Sequence, residues 1–420
     1  MLLPPLFPNI PPNSIPMKKN VIIIGAGHAG IQAAASLREE GFEGSICIFS
    51  EDADFPYQKP PLSKGYLDGS QQKNSIMFRS ETWYENNQVE LKLGELVEKV
   101  DVPQKTVHAT SGEYAFDFLV FATGAYNREL PIPIKGTDQP LYLRTMKDAD
   151  YLKQALDQED VQDILVIGGG FIGLEIAAYA AKSGKKVTVV EYQPRLMQRV
   201  LPPMLSEHFA AKHQAYGVDL RMGVGVQDLT QDSKWLASLS TGETVTADQV
   251  IVGIGVLPSQ VLAQEAGIRC SNGIEVNEYC ETSAAGIYAI GDCALHPNPF
   301  AKGQMVRLES VQNAVDQAKA IASTICGKPT SYHQVPWFWT HQYNLKLQMA
   351  GLSEGYDQLL VRGDVEGDKF SVFYFKNNQL IAVDSINKPA DHLQARKWIQ
   401  ASYTPDLEKL ADDSIKLNEC

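Results

Sequence analysis

Cysteine is present in this chain, but never at a working spacing. Cys47, Cys270, Cys280, Cys293, Cys326 and Cys420 are scattered, with no C-x-x-C pair and no zinc-like cluster, so neither a dithiol motif nor a metal site is expected. They read as small buried hydrophobes and one tail thiol in a reducing, cytoplasmic setting. No apolar run approaches the ~20 residues of a membrane-spanning helix. Positive charge is also scarce: 37 Lys and Arg face 50 Asp and Glu, for a formal net charge of -13. Sequence-independent nucleic-acid binding draws its affinity from clustered cations, so that partner class is excluded.

What remains is the composition of an ordinary soluble enzyme, 44% hydrophobic and 21% charged. At 420 residues the chain exceeds one usual domain, and two or three units are expected. Residues 1–16 hold six prolines and lack the basic start and apolar core of a secretory signal. They read as a disordered extension, with Met17 a candidate natural start.

The chain then repeats itself. An apolar run, Val21 to Ile24, enters Gly25-Ala26-Gly27-His28-Ala29-Gly30 and an Ala-rich helical stretch; a second apolar strand, Ile46 to Phe49, delivers Glu51 and Asp52. Such a strand–turn–helix places a pyrophosphate on the helix N-terminus. Gly25 permits the turn, Gly27 the approach of the phosphates, and Gly30 close helix–strand packing, while Glu51 is the better placed acid for ribose hydroxyls. A second copy follows: Ile164 to Ile167, then Gly168-Gly169-Gly170-Phe171-Ile172-Gly173, a helix through Lys182, and a strand ending in Glu191. Two dinucleotides are the economical reading, a flavin beside a nicotinamide, although one silent copy is the alternative. Glu191 would repel a 2'-phosphate, favouring NADH over NADPH. Arg195 and Arg199, a few residues on, read as solvated surface charges.

Further motifs carry a resemblance. Tyr57-Gln58-Lys59-Pro60-Pro61-Leu62-Ser63-Lys64, Phe121-Ala122-Thr123-Gly124, Gly253-Ile254-Gly255-Val256, Tyr288-Ala289-Ile290-Gly291-Asp292, Arg307 to Ala314 and Pro336 to Tyr343 together resemble the FAD-dependent ferredoxin and rubredoxin reductases that serve bacterial oxygenases. The chain is also similar to the apoptosis-inducing-factor flavoproteins. The resemblance runs from about Met17 to Leu417 and implies an α/β fold: two Rossmann-like dinucleotide-binding domains on the glutathione-reductase-like plan, plus an α+β C-terminal domain. It places an FAD domain at 17–125 and 248–328, an NADH domain at 126–247 and a third domain at 329–420. Strands around Leu359 to Arg362 and Phe370 to Phe375, and a helix from Asp391 to Ala401, are expected in the last.

The resemblance carries FAD contacts over to Thr123, Gly124, Arg128, Asp292, Val311 and Trp339, and a pair beside the flavin to Lys64 and Glu175. Phe171 is placed against the nicotinamide, while Trp337 and Phe338 read as core. Lys59, Thr340, His341 and Lys388 depart from the family's pattern, and His341 bears on the acceptor face. Where disulfide reductases carry cysteines this chain has Pro60 to Lys64, so electrons must leave to an external carrier, by resemblance a ferredoxin or rubredoxin. Lys302, Arg307, Lys346 and Lys388 are candidates for docking an acidic one. An NADH oxidase or quinone reductase and a redox-sensing interaction protein are the alternatives.

Overall fold

The computed structural model describes residues 19–420; the expected extension at 1–16 and the start at Met17 lie outside the described residues. The first repeat builds a five-stranded parallel sheet in the order Ile287–Ala289, Phe118–Phe121, Asn20–Ile24, Ser45–Ser50, Val89–Leu93. Its strands are continuous Val, Ile and Phe runs because both faces are covered. The helix His28–Glu39 lies on one face, its Ala33, Ala34 and Ala35 side chains small enough for close approach, and packs beside the helix Val311–Ile325. Chain from the far end of the sequence thereby completes the first sheet and places Val311 near the first glycine turn.

The second repeat gives a four-stranded parallel sheet, Asp219–Met222, Lys186–Glu191, Asp163–Ile167, Gln249–Val252, with the helix Phe171–Lys182 after its glycine turn. The third sheet is antiparallel: Trp337–Gln342, Leu345–Gly351, Gln379–Ile386, Lys369–Lys376, Gln358–Asp364. The helix Pro389–Gln400 covers one face through Ala395, Trp398 and Ile399. The other face, with Phe370, Val372, Tyr374 and Ile386, shares a core with Leu174, Ile176 and Phe209 of the second unit. Each fully buried Phe or Ile there stabilises by about 1.5–3 kcal/mol. That shared core seats the strand bearing Trp339 and Thr340 on the helix bearing Glu175. The expected class, two parallel-sheet units and an α+β third, is the fold observed. Among the described residues no helix is long and apolar enough to cross a membrane, and no cluster of His, Cys, Asp and Glu could hold a metal ion.

Candidate active site

The two glycine turns follow the same geometry. Gly25 and Gly168 both have φ +110°, and a Cβ on either would fall 2.2 Å from Ala122 O or 2.4 Å from Gly253 O. A Cβ on Gly30 or Gly173 would strike the carbonyl of that same turn glycine, at 1.9 and 2.3 Å. Gly27 and Gly170 are the opposite case, with open space on the side where a side chain would be; Gly27 has no neighbour within 4 Å and Gly170 only Gly253 O at 3.9 Å. Both are helix N-caps without a capping side chain, which leaves first-turn N–H groups for an anion. These cradles fit two pyrophosphates.

Cations gather at the first cradle. Lys59 donates to Arg144 O at 3.1 Å, and Arg144 Nη2 reaches Asp292 Oδ2 at 3.3 Å and lies near Gly124. Burial and then the Arg144 charge push the Lys59 ammonium down to about 8, while burial, Lys59 and Arg144 push His28 down to about 4. Partly buried cations that repel one another fit a site completed by a dianion such as the FAD pyrophosphate. Asp292 sits on the turn after Ile287–Ala289, its backbone carbonyl accepting from Arg307 Nη1 at 3.1 Å. Its carboxylate remains 22% exposed, open to the hydroxyls of a ribityl chain.

Glu51 stands exposed at the end of Ser45–Ser50, whereas Asp52 is occupied by the Tyr57 hydroxyl at 2.7 Å. Thr123 donates its hydroxyl to Ser259 O at 2.6 Å. Arg128 is exposed, and its side chain makes no hydrogen bond among the described residues. In the second cradle Glu191 accepts from Gly169 N and Gln193 N, both at 2.6 Å, so the carboxylate is fixed over its own turn. Arg195, read from sequence as a solvated charge, instead donates to Leu201 O and Ser206 Oγ and is committed to its loop. Arg199 is exposed, beside Gly255.

Beside the first cradle lies a cleft lined by Lys64, His28, Val311, Trp339 and His341. Lys64 Nζ meets Glu175 Oε2 at 2.6 Å. Glu175 is 4% exposed, and it also accepts from Ser63 Oγ at 2.5 Å and Thr340 Oγ1 at 2.6 Å. Three donors offset the desolvation of that carboxylate; removing one partner of such a pair costs about 3–5 kcal/mol. Val311 begins a helix whose N-cap, Ser310, accepts from Asn313 N, and the positive end of that helix faces the cleft. Trp339 stacks obliquely on Trp337 at 5.3 Å. Phe338, expected in the core, instead packs its ring 4.7 Å from Phe171. The Lys64 charge, after burial, lowers the His341 pKa.

The docking cations divide. Arg307 pairs with Glu309, and Lys388 with Asp391 and Asp413, while Lys302 and Lys346 are exposed. Sequence reading missed Arg144 and the supporting role of Thr340. The signal for Thr340 was its departure from the family's pattern; no local signal marked Arg144.

Residues 19–318 match the family model described as pyridine nucleotide-disulphide oxidoreductase, and residues 337–420 match the reductase C-terminal model. Rhodocoxin reductase of Rhodococcus erythropolis is 43% identical over 403 residues, 95% of this chain and 93% of the relative. The crystal structure of the ferredoxin reductase for the CYP199A2 system of Rhodopseudomonas palustris gives a TM-score of 0.92 at 39% identity, covering 96% of this chain and 99% of that one. The covalent putidaredoxin reductase–putidaredoxin complex gives 0.90 at 36%, covering 96% and 97%.

Proposed function

Since the chain belongs to the pyridine nucleotide-disulphide oxidoreductase family and carries its reductase C-terminal unit, we propose an NADH-dependent FAD enzyme that reduces a small iron–sulfur carrier. That carrier is a ferredoxin or rubredoxin, and it supplies an oxygenase. FAD, when bound, accepts two electrons from NADH and releases them singly.

The chain's residues do the positioning. Gly25, Gly27, Gly30 and Glu51 hold the adenosine diphosphate end of FAD, with Lys59 and Arg144 offsetting its charge; Thr123, Gly124, Arg128, Asp292, Val311 and Trp339 line the remainder. Gly168, Gly170, Gly173 and Glu191 hold NADH, and Phe171 packs on the nicotinamide side. In this reading 17–125 with 248–328 hold FAD, 126–247 hold NADH, and 329–420 close the site. Lys64, held by Glu175, sets the electrostatics where the two rings meet in a water-poor cleft. The 2'-phosphate of NADPH would meet Glu191, and Arg195 is not free to neutralise it. The six thiols are free, which suits a reducing, cytoplasmic compartment.

One observation carries the reading: the cleft beside the first cradle is lined by Lys64, which pairs with the buried Glu175, and by aromatic side chains, but by no cysteine to receive electrons. They must therefore leave to an outside acceptor. The test is steady-state cytochrome c reduction by NADH with and without added [2Fe–2S] ferredoxin or rubredoxin. Dependence on the carrier is expected; fast oxygen or quinone turnover without it would replace this reading with an oxidase.

A further inference from the structure

Glu175 ends a longer hydrogen-bonded chain whose direction can be read from its charged end. An ionised carboxylate only accepts, so Thr340 Oγ1, 2.6 Å from Oε1, spends its one proton there. Thr340 can then only accept from Gln342 Nε2, 3.4 Å away, which turns the amide oxygen toward His213. Gln342 Oε1 lies 2.9 Å from His213 Nε2, so Nε2 carries the proton. Burial pushes His213 down to about 4, so the imidazole is neutral near pH 7 and Nδ1 has a lone pair. Tyr343 Oη donates to it at 3.1 Å. Thr340, Gln342 and His213 are at most 1% exposed, and the outer end surfaces where Tyr343 stacks on the 47% exposed Tyr216.

The chain crosses units. His213 belongs to the helix Pro203–Ala215 of the second, Thr340 and Gln342 to the first strand of the third sheet, and Glu175 to the helix of the second glycine turn. Buried polar groups need partners in any protein. Here the chain from Tyr343 through His213, Gln342 and Thr340 donates step by step toward one carboxylate, with the Gln342 amide also 4.0 Å from Met197 Sδ, and aligned hydrogen bonds polarise one another.

We propose that Thr340, Gln342 and His213 are positioning residues, a one-way hydrogen-bond chain that fixes Glu175 against Lys64 and ties the seating of the third sheet to the geometry of the cleft. The proposal rests on the flavoprotein reading. Its test has two readouts on the FAD-loaded enzyme: imidazole 15N NMR for the His213 tautomer, with the signal identified by its loss in His213→Phe, and anaerobic stopped-flow bleaching by NADH. Wild type shows the Nε2–H tautomer. Thr340→Val lowers the limiting bleaching rate about tenfold, the size expected for a lost hydrogen bond to a buried charge, with the apparent NADH dissociation constant within about twofold. It also mixes the tautomers, and Thr340→Ser restores both.

A purely structural role would lower the melting temperature and leave rate and tautomer alone. If Thr340→Val does not retain FAD, His213→Gln and His213→Phe replace it: Gln keeps a donor for Gln342 and keeps the rate, and Phe does neither. The Nδ1–H tautomer in wild type, or full-speed bleaching in Thr340→Val or His213→Phe, overturns the proposal. A wild-type flavin that NADH does not bleach sinks the flavoprotein reading instead, and the tautomer still judges the chain.

Discussion

Around the first glycine turn the protein gathers partly buried cations; over the second it fixes a carboxylate. The backbones match, with φ +110° at Gly25 and Gly168 and carbonyls 2.2 and 2.4 Å from the missing Cβ atoms. The surroundings do not. Lys59, Arg144 and His28 crowd the first, where burial and the Arg144 charge lower the Lys59 pKa and burial, Lys59 and Arg144 lower that of His28, whereas Glu191 is held across the second by Gly169 and Gln193. In the proposed reading one scaffold serves two ends: retention of an anionic cofactor where cations wait for it, and exchange of a substrate, with rejection of extra phosphate, where a carboxylate stands guard.

The sharpest way to break the comparison is to substitute the matched glycines. Gly25→Ala forces a Cβ onto Ala122 O and should yield protein that has lost nearly all its flavin, seen in its visible absorbance. Gly168→Ala should stay yellow but bleach with NADH at least about 100-fold more slowly. Equal flavin loss in both would erase the distinction between the cradles. Next in size, Glu191→Ala should cut the preference for NADH over NADPH by about 10- to 100-fold, measured as the ratio of kcat/KM values. NADH affinity should also fall, because Gly169 and Gln193 lose their acceptor.

A smaller effect is expected at Lys59. Its pKa is lowered to about 8 in the cofactor-free protein, and a bound dianion raises it. FAD-loaded protein therefore holds more protons than empty protein above that pH, so FAD affinity should fall as pH rises through 8. Lys59→Met should weaken FAD about tenfold at pH 7 and flatten that slope, as read by flavin fluorescence quenching. Smallest of all, Arg195→Met should leave the NADH-to-NADPH ratio within about twofold and lower the melting temperature slightly, since Arg195 clasps its own loop.

The glycine turns were legible because their requirements are local: a positive φ, a helix start, a carbonyl in the way of a side chain. The Lys64–Glu175 pair lies 111 residues apart in sequence and was visible only through the family resemblance. Arg144 and its partner Asp292 are separated by 148 residues, and Thr340 and Glu175 by 165, so their meeting depends on how whole units pack. Nothing local marks Arg144 as different from Arg128, yet one is beside Asp292 and the other is exposed. For the same reason Arg307 and Lys388, candidates for docking by charge alone, are spent on neighbouring acids. Phe338 escaped the core because the third sheet's first strand presents it to Phe171, a contact set by the seating of that sheet.

The central claim is that electrons pass from NADH at the second cradle to FAD at the first and on to an outside iron–sulfur protein. Anaerobic stopped-flow mixing with NADH and with NADPH, followed by a second mix with candidate [2Fe–2S] ferredoxins and rubredoxins, tests it most directly. The account predicts fast bleaching by NADH, slow bleaching by NADPH, and rapid reoxidation by one carrier. A flavin that bleaches slowly and stays reduced with every carrier would contradict it and leave a redox-sensing protein in its place.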